Sequence, residues 1–120
     1  MRWVFVVASV EAAAAGLVLI VFPSLFARLL FGAELSAGGV ALGRFAGVAL
    51  IMIALAAWPS QTTSRSGTTI VRALVVYNVL ATLYLAYVGI AGGLTGILLW
   101  PAAALHAVFA ALFIRTAFLG

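Results

Sequence analysis

Cysteine, lysine and aspartate are absent from this chain of 120 residues, and histidine, asparagine and glutamine occur once each. Without cysteine there is no structural disulfide, no thiol redox chemistry and no cysteine-ligated metal. A single histidine rules out a bis-histidine haem site within one chain, and Glu11, Glu34 and His106 stand too far apart to form a metal-spacing motif. No metal or cofactor is therefore expected, beyond a bound lipid or quinone. Charge is also scarce: 7% of residues are charged and 68% hydrophobic, where a soluble domain carries roughly 25% charged residues. Water is not the main solvent for such a chain.

What is present is four long apolar runs. They cover about residues 3–22, 40–58, 70–90 and 96–118, each long enough to cross a bilayer as a helix. No ten-residue alternation suggests barrel strands. The first run stops at Pro23, and residues 24–31 (SLFARLLF) form a short amphipathic piece that Ser24 can cap. Leu25, Phe26, Leu29 and Leu30 gather on one side of it, and it is too short to span, so it belongs at the interface. Residues 34–39 read as a turn, residues 61–69 (QTTSRSGTT) as a polar loop, and residues 91–93 as a turn. Pro101 bends the fourth span or starts its helix proper. The expectation is one all-α domain over residues 1–120, an integral membrane four-helix bundle with an interfacial helix after the first span.

The apolar start behind Arg2, with Ala12 to Ala15 as a cleavage-like stretch, raises the question of a signal peptide. The run resumes through Gly16 to Phe22 and carries Glu11 in its middle, so it reads as a retained span. Four spans place both ends on one side, which collects Arg2, Arg65, Arg72 and Arg115 against Arg28 and Arg44 on the other. By the positive-inside rule this gives N-in and C-in. Ala-, Gly- and Arg-rich usage points to a GC-rich bacterial genome and hence to the bacterial cytoplasmic membrane. Trp3 and Trp58 mark one interface, Tyr87 and Trp100 the other. The six arginines at segment ends are a topology signal rather than a phosphate-binding surface, and no nucleic-acid partner is expected.

Small residues suggest how the helices pack. Gly39, Gly43 and Gly47 recur at four-residue spacing, and Ala8, Ala12 and Gly16 form a matching ridge on the first span. Missing side chains let helix backbones approach closely in lipid, within one chain or between two copies.

Polar residues inside the spans are the candidates for function, because a charge at that depth costs a few kcal/mol or more unless it is paired, protonated or functional. At about 1.5 Å of rise per residue, Glu11, Asn78 and His106 fall near one depth. Tyr77 and Thr82 are close enough to join them. Arg44 can reach toward Glu11 or snorkel outward. One reading is a ligand pocket or proton-linked site with Glu11 and His106 as titrating groups; the other is a polar clamp that fixes helix register. Tyr84 and Tyr87 read as packing and interface residues. No nucleophile elbow, P-loop or dinucleotide-binding glycine pattern lies in the strand-turn-helix setting it requires.

Several of these residues recur in a familiar order. Glu11 with Gly16, then Phe22-Pro23, Leu30-Phe31-Gly32, Gly43-Arg44-Phe45-Ala46-Gly47, and Trp100-Pro101 followed by His106 together resemble the DoxX-like superfamily of small four-helix bacterial membrane proteins. The resemblance covers nearly the whole chain. It implies an accessory or partner-binding role in a membrane assembly, redox-, quinone- or lipid-linked, either in a larger complex or as a homo-oligomer. The lack of cysteine argues against a thiol-redox version. A second resemblance is to small multidrug-resistance transporters, which place one membrane glutamate in the first helix, as Glu11 does here. Arg44 would be a poor neighbour for their cationic substrates, and their aromatic pattern is missing. A third reading is a membrane enzyme using Glu11 and His106 as acid and base on a lipid or isoprenoid. The binding role is the favoured expectation, with enzymatic activity the less favoured.

Overall fold

The computed structural model describes residues 2–59 and 65–119, the side chains of 65–67 and 119 excepted. Five helices follow one another: α1 (Arg2–Val21), α2 (Pro23–Phe31), α3 (Ala37–Ala57), α4 (Arg65–Ile90) and α5 (Leu99–Leu119). No strand occurs among the described residues. Four of the helices are long and apolar enough to cross a membrane.

Local chemistry explains where each helix begins and ends. Phe22 precedes a proline, which disfavours helical backbone, and its φ of −131° breaks α1 from α2. Pro23 then takes the first position of α2, where a missing N–H costs nothing. Ser24 does not cap this helix as expected; Phe22 holds the cap position without a side-chain bond. Gly32 closes α2 at φ +64°, a left-handed conformation suited to glycine, with its N–H on the Arg28 carbonyl at 3.0 Å. Ser36 accepts from the Gly39 N–H at 3.0 Å and starts α3 three residues earlier than the apolar run indicated.

Two further boundaries shift. Helix α4 already runs from Arg65, so the polar stretch is helical from there on, while residues 61–64 of the expected loop lie outside the described residues. Extending an existing helix costs far less than nucleating one, which lets polar residues ride on its end. Helix α5 begins at Leu99 rather than at Gly96, because the chain before it is bonded elsewhere. The Gly96 N–H donates to the Leu30 carbonyl at 3.0 Å and the Leu98 N–H to the Leu29 carbonyl at 2.8 Å. These bonds satisfy carbonyls that the end of α2 leaves without helical partners. Pro101 sits in the first turn of α5 and opens the helix.

The long helices pair as α1 with α3 and α4 with α5; contacts between the two pairs are sparse. The first pair is drawn together by glycine. A Cβ on Gly47 would stand 2.6 Å from the Gly16 carbonyl oxygen, and one on Gly16 would stand 2.7 Å from that of Gly47. The two backbones therefore touch directly, with Ala8 and Ala12 buried along the same helix. Gly43 meets Leu19 and Pro23 at ordinary contact distance. Gly39 takes no part: its nearest neighbours are Leu35 and Ser36 in its own first turn, so its place is in the cap of α3.

A buried cluster closes the end that carries Arg2 and Arg115. It joins Val4, Phe5, Ala57, Val71, Leu74, Phe109 and Phe113, with Phe5 and Phe113 edge to face at 5.2 Å. At the opposite end, Leu85, Leu99 and Ala103 pack with Leu30 and Phe31 of α2. Between these two plugs the helix pairs stand apart. Gly47→Ala is expected to destabilise the fold by about 1–3 kcal/mol through backbone overpacking, whereas Gly43→Ala should stay within about 0.5 kcal/mol of the parent. Thermal unfolding of the two variants in the same detergent checks the contrast.

Candidate functional site

The space between the two helix pairs is a cavity of about 780 Å³. Its walls are almost wholly apolar, and small side chains make the room: Ala14 and Ala15 on α1, Ala46 and Ala49 on α3, Ala81 on α4 and Ala102 on α5. Helix α2 contributes Phe26, Leu29, Leu30 and Phe31 to the wall, so the short amphipathic helix turns part of its apolar side inward. Leu25, expected on that side, is exposed, and Ala27 is buried in its place. Polar groups enter at three positions deep in the long helices: Glu11, Tyr77 and His106. Tyr84 also lines the wall.

Asn78 is 2% exposed and His106 8%. Asn78 Nδ2 donates to the Leu74 carbonyl one turn back at 2.8 Å. A carbonyl only accepts, so this bond fixes which end of the amide is nitrogen. Asn78 Oδ1 is left as an acceptor, and it lies 2.8 Å from His106 Nδ1. Tyr77 packs edge-on against the His106 ring, with centroids 5.7 Å apart. The α4–α5 pair is thus joined through a polar contact where the α1–α3 pair is joined through bare backbone.

The expected polar layer is therefore assembled in part. Asn78 and His106 are bonded to each other, and Glu11 shares the cavity wall with Tyr77 and His106. Among the described residues Glu11 has no ion pair and no hydrogen bond. Arg44 stays apart. It is exposed, its Nε donates to the Ile20 carbonyl at 3.1 Å, and it does not line the cavity. A guanidinium that satisfies itself on a backbone carbonyl at the helix surface avoids the desolvation that reaching Glu11 would require. Thr82 also turns away from the layer, donating to the Asn78 carbonyl within its own helix at 2.8 Å.

Two features were not drawn from the sequence. Of the alanines that open the cavity, Ala46 and Ala49 stand at helical spacing, but alanine is so common in this chain that the signal was submerged. Ser9 is buried with its hydroxyl unpartnered among the described residues. No group of histidine, cysteine or carboxylate side chains among the described residues is arranged to hold a metal. Comparison of the chain with protein-family models, with curated proteins and with solved structures gives no match. The site must be interpreted from its own chemistry.

A double-mutant cycle on Asn78→Ala and His106→Ala should return a coupling of about 0.6–2 kcal/mol, the range of interhelical hydrogen bonds in membrane helices. Unfolding in detergent by denaturant titration measures it. A coupling near zero would mean that the two side chains do not rely on each other.

Proposed function

We propose that this chain is a small multi-pass membrane protein that binds the apolar body of an amphiphilic molecule in the cavity between its helix pairs, serving as an accessory, partner-binding subunit of a membrane assembly. Its four long helices form a bundle in the bilayer, with α2 at the interface. In this reading the chain is a DoxX-like protein of the bacterial cytoplasmic membrane, N-in and C-in.

The membrane part of the reading is supported by the outer surface. Phe45 (73% exposed), Leu42, Leu55, Leu83 and Ile90 face outward without cover, an apolar surface that water would not tolerate in a soluble monomer. Exposed Trp3 and Trp58 lie at one end of the long helices, and exposed Tyr87 and Trp100 at the other, the positions where aromatic side chains meet headgroups.

The binding part rests on one observation, the 780 Å³ cavity itself. Its volume falls within the range of small-molecule sites, roughly 300–1,000 Å³, and it combines apolar walls with a few convergent polar groups. In a bilayer such a space does not stand empty, and the molecules at hand are amphiphiles. Native mass spectrometry of the gently solubilised protein should detect a bound lipid-sized molecule, and Ala81→Phe, which fills the wall from α4, should displace it while leaving the fold intact. Recovery of a ligand-free protein from several detergents would sink the proposal.

One observation favours a second reading, proton-coupled export. Arg44, the residue that argued against a cationic substrate, faces away from the cavity, so Glu11 stands unopposed within it. Proteoliposomes carrying a proton gradient decide the point. Efflux of a lipophilic cation that disappears in Glu11→Gln would establish transport, and no efflux in the parent protein would leave binding alone.

A further inference from the structure

Resting on the binding role just proposed, the geometry points to the kind of head group the cavity takes: we infer that it selects amphiphiles whose head donates hydrogen bonds, such as a hydroxyl, over isosteric heads that only accept them.

The argument begins at Asn78. Its amide orientation is fixed by the bond from Nδ2 to the Leu74 carbonyl, so the atom facing His106 is the oxygen. An oxygen acceptor 2.8 Å from Nδ1 requires the proton on Nδ1. In the neutral ring this leaves Nε2 with a lone pair and no proton. A hydrogen bond made by one imidazole nitrogen thus sets the role of the other.

Nε2 is also available. It has no hydrogen-bond partner among the described residues and is not one of the polar atoms sealed off from solvent. His106 lines the cavity, and Asn78, on its other nitrogen, does not. The cavity wall therefore presents an open acceptor. Glu11 adds a second, since a carboxyl group keeps at least one acceptor oxygen in either protonation state. The Tyr77 hydroxyl can turn to accept as well as donate. Arg44, the one guanidinium that the sequence brought near this depth, does not line the cavity and so supplies no donor to it.

The polar end of the cavity is thus rich in acceptors and poor in fixed donors. A head bearing O–H groups satisfies it. A head of the same shape carrying only carbonyl oxygens leaves Nε2 unpaired in every case, and against an ionised Glu11 it also sets lone pair against lone pair. In an apolar surrounding both mismatches are costly, because water is not there to repair them. The apolar walls hold the tail in either case, so the discrimination lies in the head.

The test uses the full-length protein in lipid nanodiscs and two probes with one carbon skeleton, decylhydroquinone and decylbenzoquinone, under anaerobic conditions. Binding is followed by quenching of tryptophan fluorescence and confirmed by native mass spectrometry. The hydroquinone should bind at least about tenfold more tightly. In His106→Phe, which keeps a ring but removes Nε2, that preference should shrink severalfold. Equal binding of the two probes, or tighter binding of the quinone, overturns the donor rule and leaves the cavity reading intact. A preference that survives in His106→Phe overturns the role of Nε2. Binding of neither probe overturns both the donor rule and the binding role on which it rests.

Discussion

The hydrogen bond between His106 Nδ1 and Asn78 Oδ1 ties the architecture of this protein to its chemistry. It links α4 to α5 at the level of the cavity, where apolar packing gives way to open space. It also determines what the imidazole shows to that space. The bond owes its definition to a second one, from Asn78 to the Leu74 carbonyl, which prevents the amide from presenting its nitrogen. Leucine at position 78 would pack comparably, but it would leave His106 free to rotate and to exchange tautomers. Asparagine here works as a setting for the histidine.

The cavity follows from the contrast between the two helix pairs. In α1–α3 the Gly16 and Gly47 backbones meet, so those helices close tightly along one seam. In α4–α5 the side chains of Asn78 and His106 fill the seam instead. Each pair satisfies itself, and little is left to draw one pair onto the other. Aromatic residues bridge them at one end, through Phe5 and Phe113. At the other end, α2 and the segment before α5 are sewn together by backbone bonds from Gly96 and Leu98 to Leu30 and Leu29. Alanine at the intervening wall positions, where a larger side chain would have filled the gap, leaves the space between.

Much of this order was legible in the residues. Apolar run length gave the four long helices, proline at 23 and 59 marked the ends of α1 and α3, and Gly32 that of α2, because these effects are local and act through the backbone. The depth of the polar layer was legible too, since helical rise converts residue number into depth, but the pairing of Asn78 with His106 was not. Direction around the helix axis was harder. Arg44 lies within reach of Glu11 by depth alone, yet it turns to a carbonyl on its own side of the molecule. Gly39 belongs to the right repeat but falls in the first turn of α3, where Ser36 uses its N–H. The start of α5 depended on bonds to α2, a segment some seventy residues earlier, which no local pattern encodes. The cavity was the least visible feature, because it is made by what alanine lacks.

Glu11 bears differently on the problem once Arg44 is removed from its surroundings. A carboxyl group that merely stapled helices would be expected to hold a donor from a neighbouring helix, as Asn78 and His106 hold each other. Glu11 holds none among the described residues, and it lines the cavity between the helix pairs. A polar group left unmatched by the protein, in surroundings where mismatch is expensive, is matched by something else. In export that partner would be a proton alternating with a cation; in binding it would be a hydroxyl brought by the ligand. The two differ in what His106 contributes. A lipophilic cation without N–H or O–H groups makes no hydrogen bond to Nε2, whereas a hydroxyl-bearing head uses both acceptors at once. The fixed tautomer of His106 therefore weighs toward the proposed binding, in which the pairing of Asn78 with His106 would take part in recognising the ligand.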